Sequence, residues 1–192
     1  VKKAVKGAIE GVVEGIQKIL PRAEADANKA KFLAESKDTR RFYHGNQADI
    51  NNFIPSRKGV FVSPSPEFAS KFSETATGRQ GPNVMPVRVQ VKNPFDYENP
   101  AHMKAIREAA KKQYPGNSRV KYELDAIGGV DDSGGLPNNW ASVEHPEIQR
   151  LIKQLEHDAY YTSEDGVKNL GIYSPNQIKS DIGNTGAYDV NK

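Results

Sequence analysis

Between residues 3 and 20, Val5, Ile9, Val12, Val13, Ile16, Ile19 and Leu20 recur at helical spacing, with lysine and glutamate on the other side. That pattern predicts an amphipathic helix. Gly7, Gly11 and Gly15 add a small-residue stripe that permits close helix packing, and Lys6, Glu10 and Glu14 interrupt it too often for a membrane span. Pro21 stops this helix, and Arg22 to Ser36 reads as a second, polar, alanine-rich one. Residues 1–38 are therefore expected to form a helical lead-in, and 39–192 the functional domain.

From there the period changes. Phe42-Tyr43 reads as the end of a short apolar strand that delivers His44 and Gly45 to its exit. Ala48 to Phe53 reads as a short helix, and Gly59-Val-Phe-Val62 as a second strand. Pro64-Ser-Pro-Glu67 opens a helix through Phe68, Ala69 and Phe72. Residues 73–82 read as a loop, and Val84 to Val91 alternates as a half-buried strand closed by Asn93-Pro94. His102 to Gln113 is a basic helix, followed by Arg119, Lys121 and a glycine- and aspartate-rich loop over 128–135. This excursion is where the domain would reach a macromolecular target, although a solvated helix and loop explain it as well.

Trp140 and Val143 precede a helix from Pro146 to Leu155 whose Ile148, Leu151, Ile152 and Leu155 share one face. Asp158 to Thr162 and Val167 to Tyr173 read as strands joined by the polar turn Ser163 to Gly166. The order predicts a mixed α+β domain with a split sheet.

Composition narrows the classes. The 192 residues allow one ordinary domain with an appendage, and 36% apolar content suffices for a core. No apolar run reaches membrane-spanning length. Cysteine is absent, which excludes disulfides and thiolate zinc sites. A net charge of +3 is compatible with an acidic partner without requiring one. The chain starts at Val1 with no signal-peptide pattern, as expected for a piece of a longer or processed protein.

His102, His145 and His157 have no metal-ligand spacing, so no metal is expected. Glu144, Glu147, Glu156, Asp158, Glu164 and Asp165 include enough acids for a glycosidase pair, but read as solvated. The Arg40-Arg41 pair before the first strand is a candidate for a pyrophosphate, or plain surface. His44 can hydrogen-bond a ligand, and Gly45 lets one approach the backbone. Phe61 and Phe72 are either core aromatics or a clamp for a flat ring.

Tyr43-His44-Gly45, then Gly59-Val-Phe-Val-Ser63, then Ala69-Ser-Lys-Phe72 resembles the first two motifs of the ADP-ribosyltransferase superfamily, in its diphtheria-toxin and poly(ADP-ribose) polymerase branch. Phe61 and Phe72 stand 11 residues apart, the spacing of two family tyrosines, so the rings remain without their hydroxyls. Tyr173-Ser-Pro-Asn-Gln-Ile-Lys-Ser180 is similar to the closing segment of such enzymes in phage and bacterial polyvalent and toxin-type proteins, which puts Gln177 where most members have the catalytic glutamate.

The resemblance covers 42–186 and implies an NAD-dependent mono-ADP-ribosyltransferase of toxin or effector type, with NAD as co-substrate. By that implication His44 holds the adenosine-side ribose and the Gly45 backbone meets the nicotinamide carboxamide. Phe61 and Phe72 sandwich the ring, and Gln177 accepts the 2′-hydroxyl of the reacting ribose. Tyr43, Ser63 and Arg41 complete the expected NAD contacts. The acceptor is a protein or a nucleic acid, and Pro175, two before Gln177, disfavours arginine. Such an enzyme acts in a cytoplasm, after delivery from a bacterium or phage, and an immunity or antitoxin protein is a compatible partner. The alternatives are a degenerate module that binds NAD or a partner without turnover, and an NAD glycohydrolase.

Overall fold

The computed structural model describes residues 20–46, 53, 56, 58–74, 83–129, 138–182 and 186–189. The helices read at 3–20 and, apart from Phe53, at 48–53, and most of the loops at 73–82 and 128–135, lie outside the described residues.

In chain order the elements are α1 (Arg22–Ala34), β1 (Phe42–Asn46), β2 (Val60–Val62), α2 (Pro66–Glu74), β3 (Asn83–Val89) and β4 (Pro94–Phe95). There follow α3 (Pro100–Gln113), α4 (Ser118–Ile127), α5 (Trp140–Val143), α6 (Pro146–Gln154), β5 (Ala159–Glu164) and β6 (Val167–Ile172). A 3-10 turn (Pro175–Gln177) then leads into β7 (Ile178–Ser180).

The strands form a three-stranded sheet, β1-β3-β7, and a four-stranded sheet, β2-β6-β5-β4. All pairings are antiparallel except the parallel pair β4 and β5. The domain is α+β with a split sheet. The sheets meet where Tyr43 N donates to Ser63 O at 2.7 Å and Ser63 N to Tyr43 O at 2.9 Å. Past that bridge β1 and β2 follow different partners, β3 and β6, and the parting opens a cleft between the sheets.

Local chemistry accounts for most of the elements. Asn99 caps α3 by accepting from Ala101 N at 2.9 Å, and Asn117 caps α4 by accepting from Arg119 N and Val120 N. α4 was not expected as a separate helix, although Val120, Leu124 and Ile127 carry its buried stripe. In α6, Ile148, Leu151 and Ile152 are fully buried, as their periodicity demands, in one core with Phe95, Tyr160, Leu170 and Ile172. The β5–β6 hairpin turns through Asp165 and Gly166, both at positive φ, the conformation a tight hairpin needs.

Four basic residues of the α3–α4 excursion pair with neighbouring acids: Arg107 and Lys121 with Asp125, Lys111 with Glu108, and Arg119 with Glu123. α1 is docked rather than free. Phe32 is buried against Tyr188, its carbonyl accepts from Gln90 Nε2 at 2.9 Å, and Lys29 pairs with Asp181. Among the described residues no helix is long and apolar enough to cross a membrane.

Candidate functional site

β1 and α2 line the cleft on one side, and the β2-β6-β5 part of the four-stranded sheet, with α5, lines the other. Its volume is about 490 Å³, within the range of small-molecule sites. Of the residues picked from the sequence, Tyr43, His44, Gly45, Phe61, Ser63 and Phe72 all line it.

Gly45 is the position where α2 comes closest to β1. A Cβ there would sit 1.9 Å from the Ala69 carbonyl oxygen, so only glycine lets the helix lie this near the strand. Gly45→Ala is expected to push α2 off β1 and cost about 1–3 kcal/mol, read as a lower midpoint in urea.

His44 Nδ1 donates to the Phe61 carbonyl oxygen at 2.7 Å, tying β1 to β2 beyond the bridge. Burial holds the imidazole pKa below its ordinary value against the pull of that carbonyl. The ring is therefore neutral near pH 7, and Nε2 is left as a hydrogen-bond acceptor. Phe61 meets Tyr160 edge-on at 6.0 Å, while Phe72 tilts against Phe68 at 5.5 Å and is 49% exposed. Ser63, nearly fully buried, accepts from Ser65 N at 3.1 Å and so steers the chain into α2.

Two expected residues lie elsewhere. Gln177 is not on the cleft. Its Nε2 donates to Gln90 O at 2.9 Å and Asp158 Oδ2 at 3.1 Å, and its Oε1 accepts from Ser174 N at 3.2 Å. The carboxamide closes the 3-10 turn and joins the end of β3 to the start of β5, which uses both its donor and its acceptor ends. Arg41 is not on the cleft either: its guanidinium holds Asp181 Oδ2 at 2.7–2.8 Å. Arg40 is bound to Asp38 at 2.6 Å, so neither member of the basic pair faces the site.

In their place the far wall supplies polar groups that sequence reasoning set aside or missed. Strand alternation turns Tyr160, Thr162 and Glu164 of β5 to one side, and Thr162 pairs across the ladder with Asn169 of β6. Thr162, Glu164 and Asn169 line the cleft. Asn169 is 4% exposed, and its Oδ1 has no hydrogen-bond partner among the described residues. It lies one residue past the Val62–Leu170 pair, as Ser63 does on β2, which places it in the ladder that carries Phe61.

Glu144 follows α5 and pairs with Lys58 at 2.6 Å. Glu164 has its carboxyl pKa raised by burial and by the nearby charges of Asp165 and Glu144, and it has no ion pair among the described residues. Trp140 stands on the same wall, 37% exposed. The sequence signal for Thr162 and Glu164 was the β5 alternation; the register that brings Asn169 beside Thr162 is a long-range property. Among the described residues no group of histidines and acids could hold a metal ion.

The fold is a split-sheet α+β domain that gathers a YHG strand, a phenylalanine-bearing strand and a polar hairpin around one cleft. The chain belongs to the family described as ADP-ribosyltransferase in polyvalent proteins, whose profile matches residues 38–188. No curated protein matches the chain. A solved structure, described as the crystal structure of an anti-CRISPR protein, is similar over 76% of this chain and 97% of its own, at 13% identity and a TM-score of 0.38.

Proposed function

We propose that the protein is an NAD-dependent mono-ADP-ribosyltransferase whose reaction takes place in the cleft between the two sheets, with Asn169 in the role first expected of Gln177. What supports this reading is one juxtaposition: His44, Gly45, Phe61 and Phe72 line the same cleft as Asn169, whose buried carboxamide oxygen has no partner among the described residues.

Breaking the bond between nicotinamide and ribose develops positive charge on the sugar, and the leaving group departs as neutral nicotinamide. Phe61 and Phe72 offer ring faces to the nicotinamide, and their flat surfaces orient the scissile bond. The neutral His44 accepts from the adenosine-side ribose through Nε2. Asn169 Oδ1 accepts from the 2′-hydroxyl of the reacting ribose and sets its negative dipole end toward the developing cation.

The test is release of labelled nicotinamide from NAD by the full chain. Release is expected, and it should fall at least tenfold in His44→Ala and Phe72→Ala. Binding of NAD with no release would make the protein a degenerate module and overturn the enzymatic reading.

A further inference from the structure

The far wall of the cleft carries a second set of groups that the NAD reading does not use. Asn139 N donates to Ser163 O at 3.0 Å, and Ser163 N donates to Asn139 Oδ1 at 2.8 Å. This double bond of strand to helix start sets Trp140 beside the end of β5, where Glu164 follows Ser163. One helical turn on, Glu144 N donates to Trp140 O at 2.9 Å, which returns Glu144 to the same face.

We propose that Trp140, Glu144 and Glu164 form the acceptor side of the cleft and select a guanidinium, the side chain of an arginine on a protein target. The inference rests on the ADP-ribosyl-transfer reading above.

An indole face attracts a flat cation, and Glu164, with Glu144 and Thr162 beside it, makes the wall rich in acceptors. A guanidinium supplies a plane and five N–H donors with no acceptor, which matches this set better than a compact ammonium. Lys58 pairs with Glu144 and Lys71 with Asp165, which leaves Glu164 as the wall's carboxylate without an ion pair among the described residues. A nucleic acid would bring phosphates toward the unpaired Glu164 beside Glu144 and Asp165, whose cations Lys58 and Lys71 are already engaged, an unfavourable encounter. Pro175, two positions before Gln177, does not bear on the acceptor, because Gln177 is outside the cleft.

The step balances without a further reactant. The bond from ribose C1′ to nicotinamide breaks and its electron pair leaves with nicotinamide. A guanidinium nitrogen forms the new bond to C1′ as one of its protons passes to the Glu164 carboxylate and then to water. Glu164, whose carboxyl pKa is raised by burial and by the charges of Asp165 and Glu144 and which has no ion pair among the described residues, is placed to take that proton.

The experiment supplies the full chain with NAD and one of three acceptors: an arginine-containing peptide, its lysine counterpart, or a single-stranded oligonucleotide. Nicotinamide, free ADP-ribose and adducts are quantified by mass spectrometry. The arginine peptide is expected to take the ADP-ribose, with the ratio of adduct to free ADP-ribose falling at least tenfold in Trp140→Ala and in Glu164→Gln. Trp140→Phe, which keeps a ring face, should retain most of that ratio. Nicotinamide release with label only on lysine, nucleic acid or water overturns the guanidinium proposal and leaves the transferase or glycohydrolase reading standing. So does a ratio that the variants leave unchanged. No nicotinamide release overturns both.

Discussion

Asn169→Ala is expected to lower nicotinamide release from NAD by roughly 100-fold, whereas Gln177→Ala leaves that rate close to wild type. The two side chains carry the same carboxamide and differ in what surrounds it. Asn169 lines the cleft from the ladder that also carries Phe61, and its buried oxygen has no partner among the described residues, so a ligand hydroxyl that reaches it would satisfy it. Gln177 has both ends committed, to Gln90 and Asp158 through Nε2 and to Ser174 N through Oε1. Its truncation strands the Gln90 carbonyl and the Ser174 amide, at a cost of about 1–3 kcal/mol. Gln177→Ala should therefore lower the urea midpoint while the folded fraction keeps its activity, and Asn169→Ala should show the reverse balance. Loss of release in Gln177→Ala at an unchanged midpoint would return the catalytic role to position 177.

The contrast shows which parts of the site were legible in the sequence. Tyr43, His44, Gly45, Phe61, Ser63 and Phe72 come from a local unit, strand to strand to helix, in which spacing along the chain largely fixes position in space. The helix at Pro146–Gln154 and the β5–β6 hairpin were likewise readable, from a 3.6-residue apolar stripe and from a polar turn ending in glycine. Asn169 was not, because its place on the cleft depends on the register that sets it opposite Thr162, and register is a long-range property. Glu144 and Glu164 looked like solvated acids for the same reason.

Gln177 stood out because its segment resembles a known closing motif. The same residues fold as a 3-10 turn whose amide serves the backbone. Arg41 offered charge with no sign of where it would point. The acid that claims it, Asp181, lies 140 residues away.

That acid is the other position with a large expected effect. The Asp181 side chain is 3% exposed and is bound by three cations: Lys29 from α1, Arg41 from the approach to β1, and Arg88 from β3 at 3.3 Å. Its own amide donates to Pro86 O at 2.8 Å, so the carboxylate is fixed where α1, the β1–β3 sheet and the C-terminal segment meet. Burial alone would raise its pKa, but the Lys29 hydrogen bond, the Arg88 charge and the Arg41 hydrogen bond outweigh that and hold it below the usual aspartate value.

Asp181→Asn keeps the shape and removes the charge, leaving three cations crowded without their anion, and should cost on the order of 3 kcal/mol at pH 7. The sign of the pH dependence follows from the lowered pKa. The wild-type contribution is complete above about pH 4, the unfolded aspartate value, and disappears as pH falls through the folded one. Urea denaturation of wild type and Asp181→Asn should therefore differ most near neutrality and converge in acid. A gap that persists undiminished at low pH would mean that the variant acts through packing rather than charge. Arg41→Gln should repeat part of this loss with little change in the KM for NAD; a raised KM at unchanged stability would instead return Arg41 to the pyrophosphate.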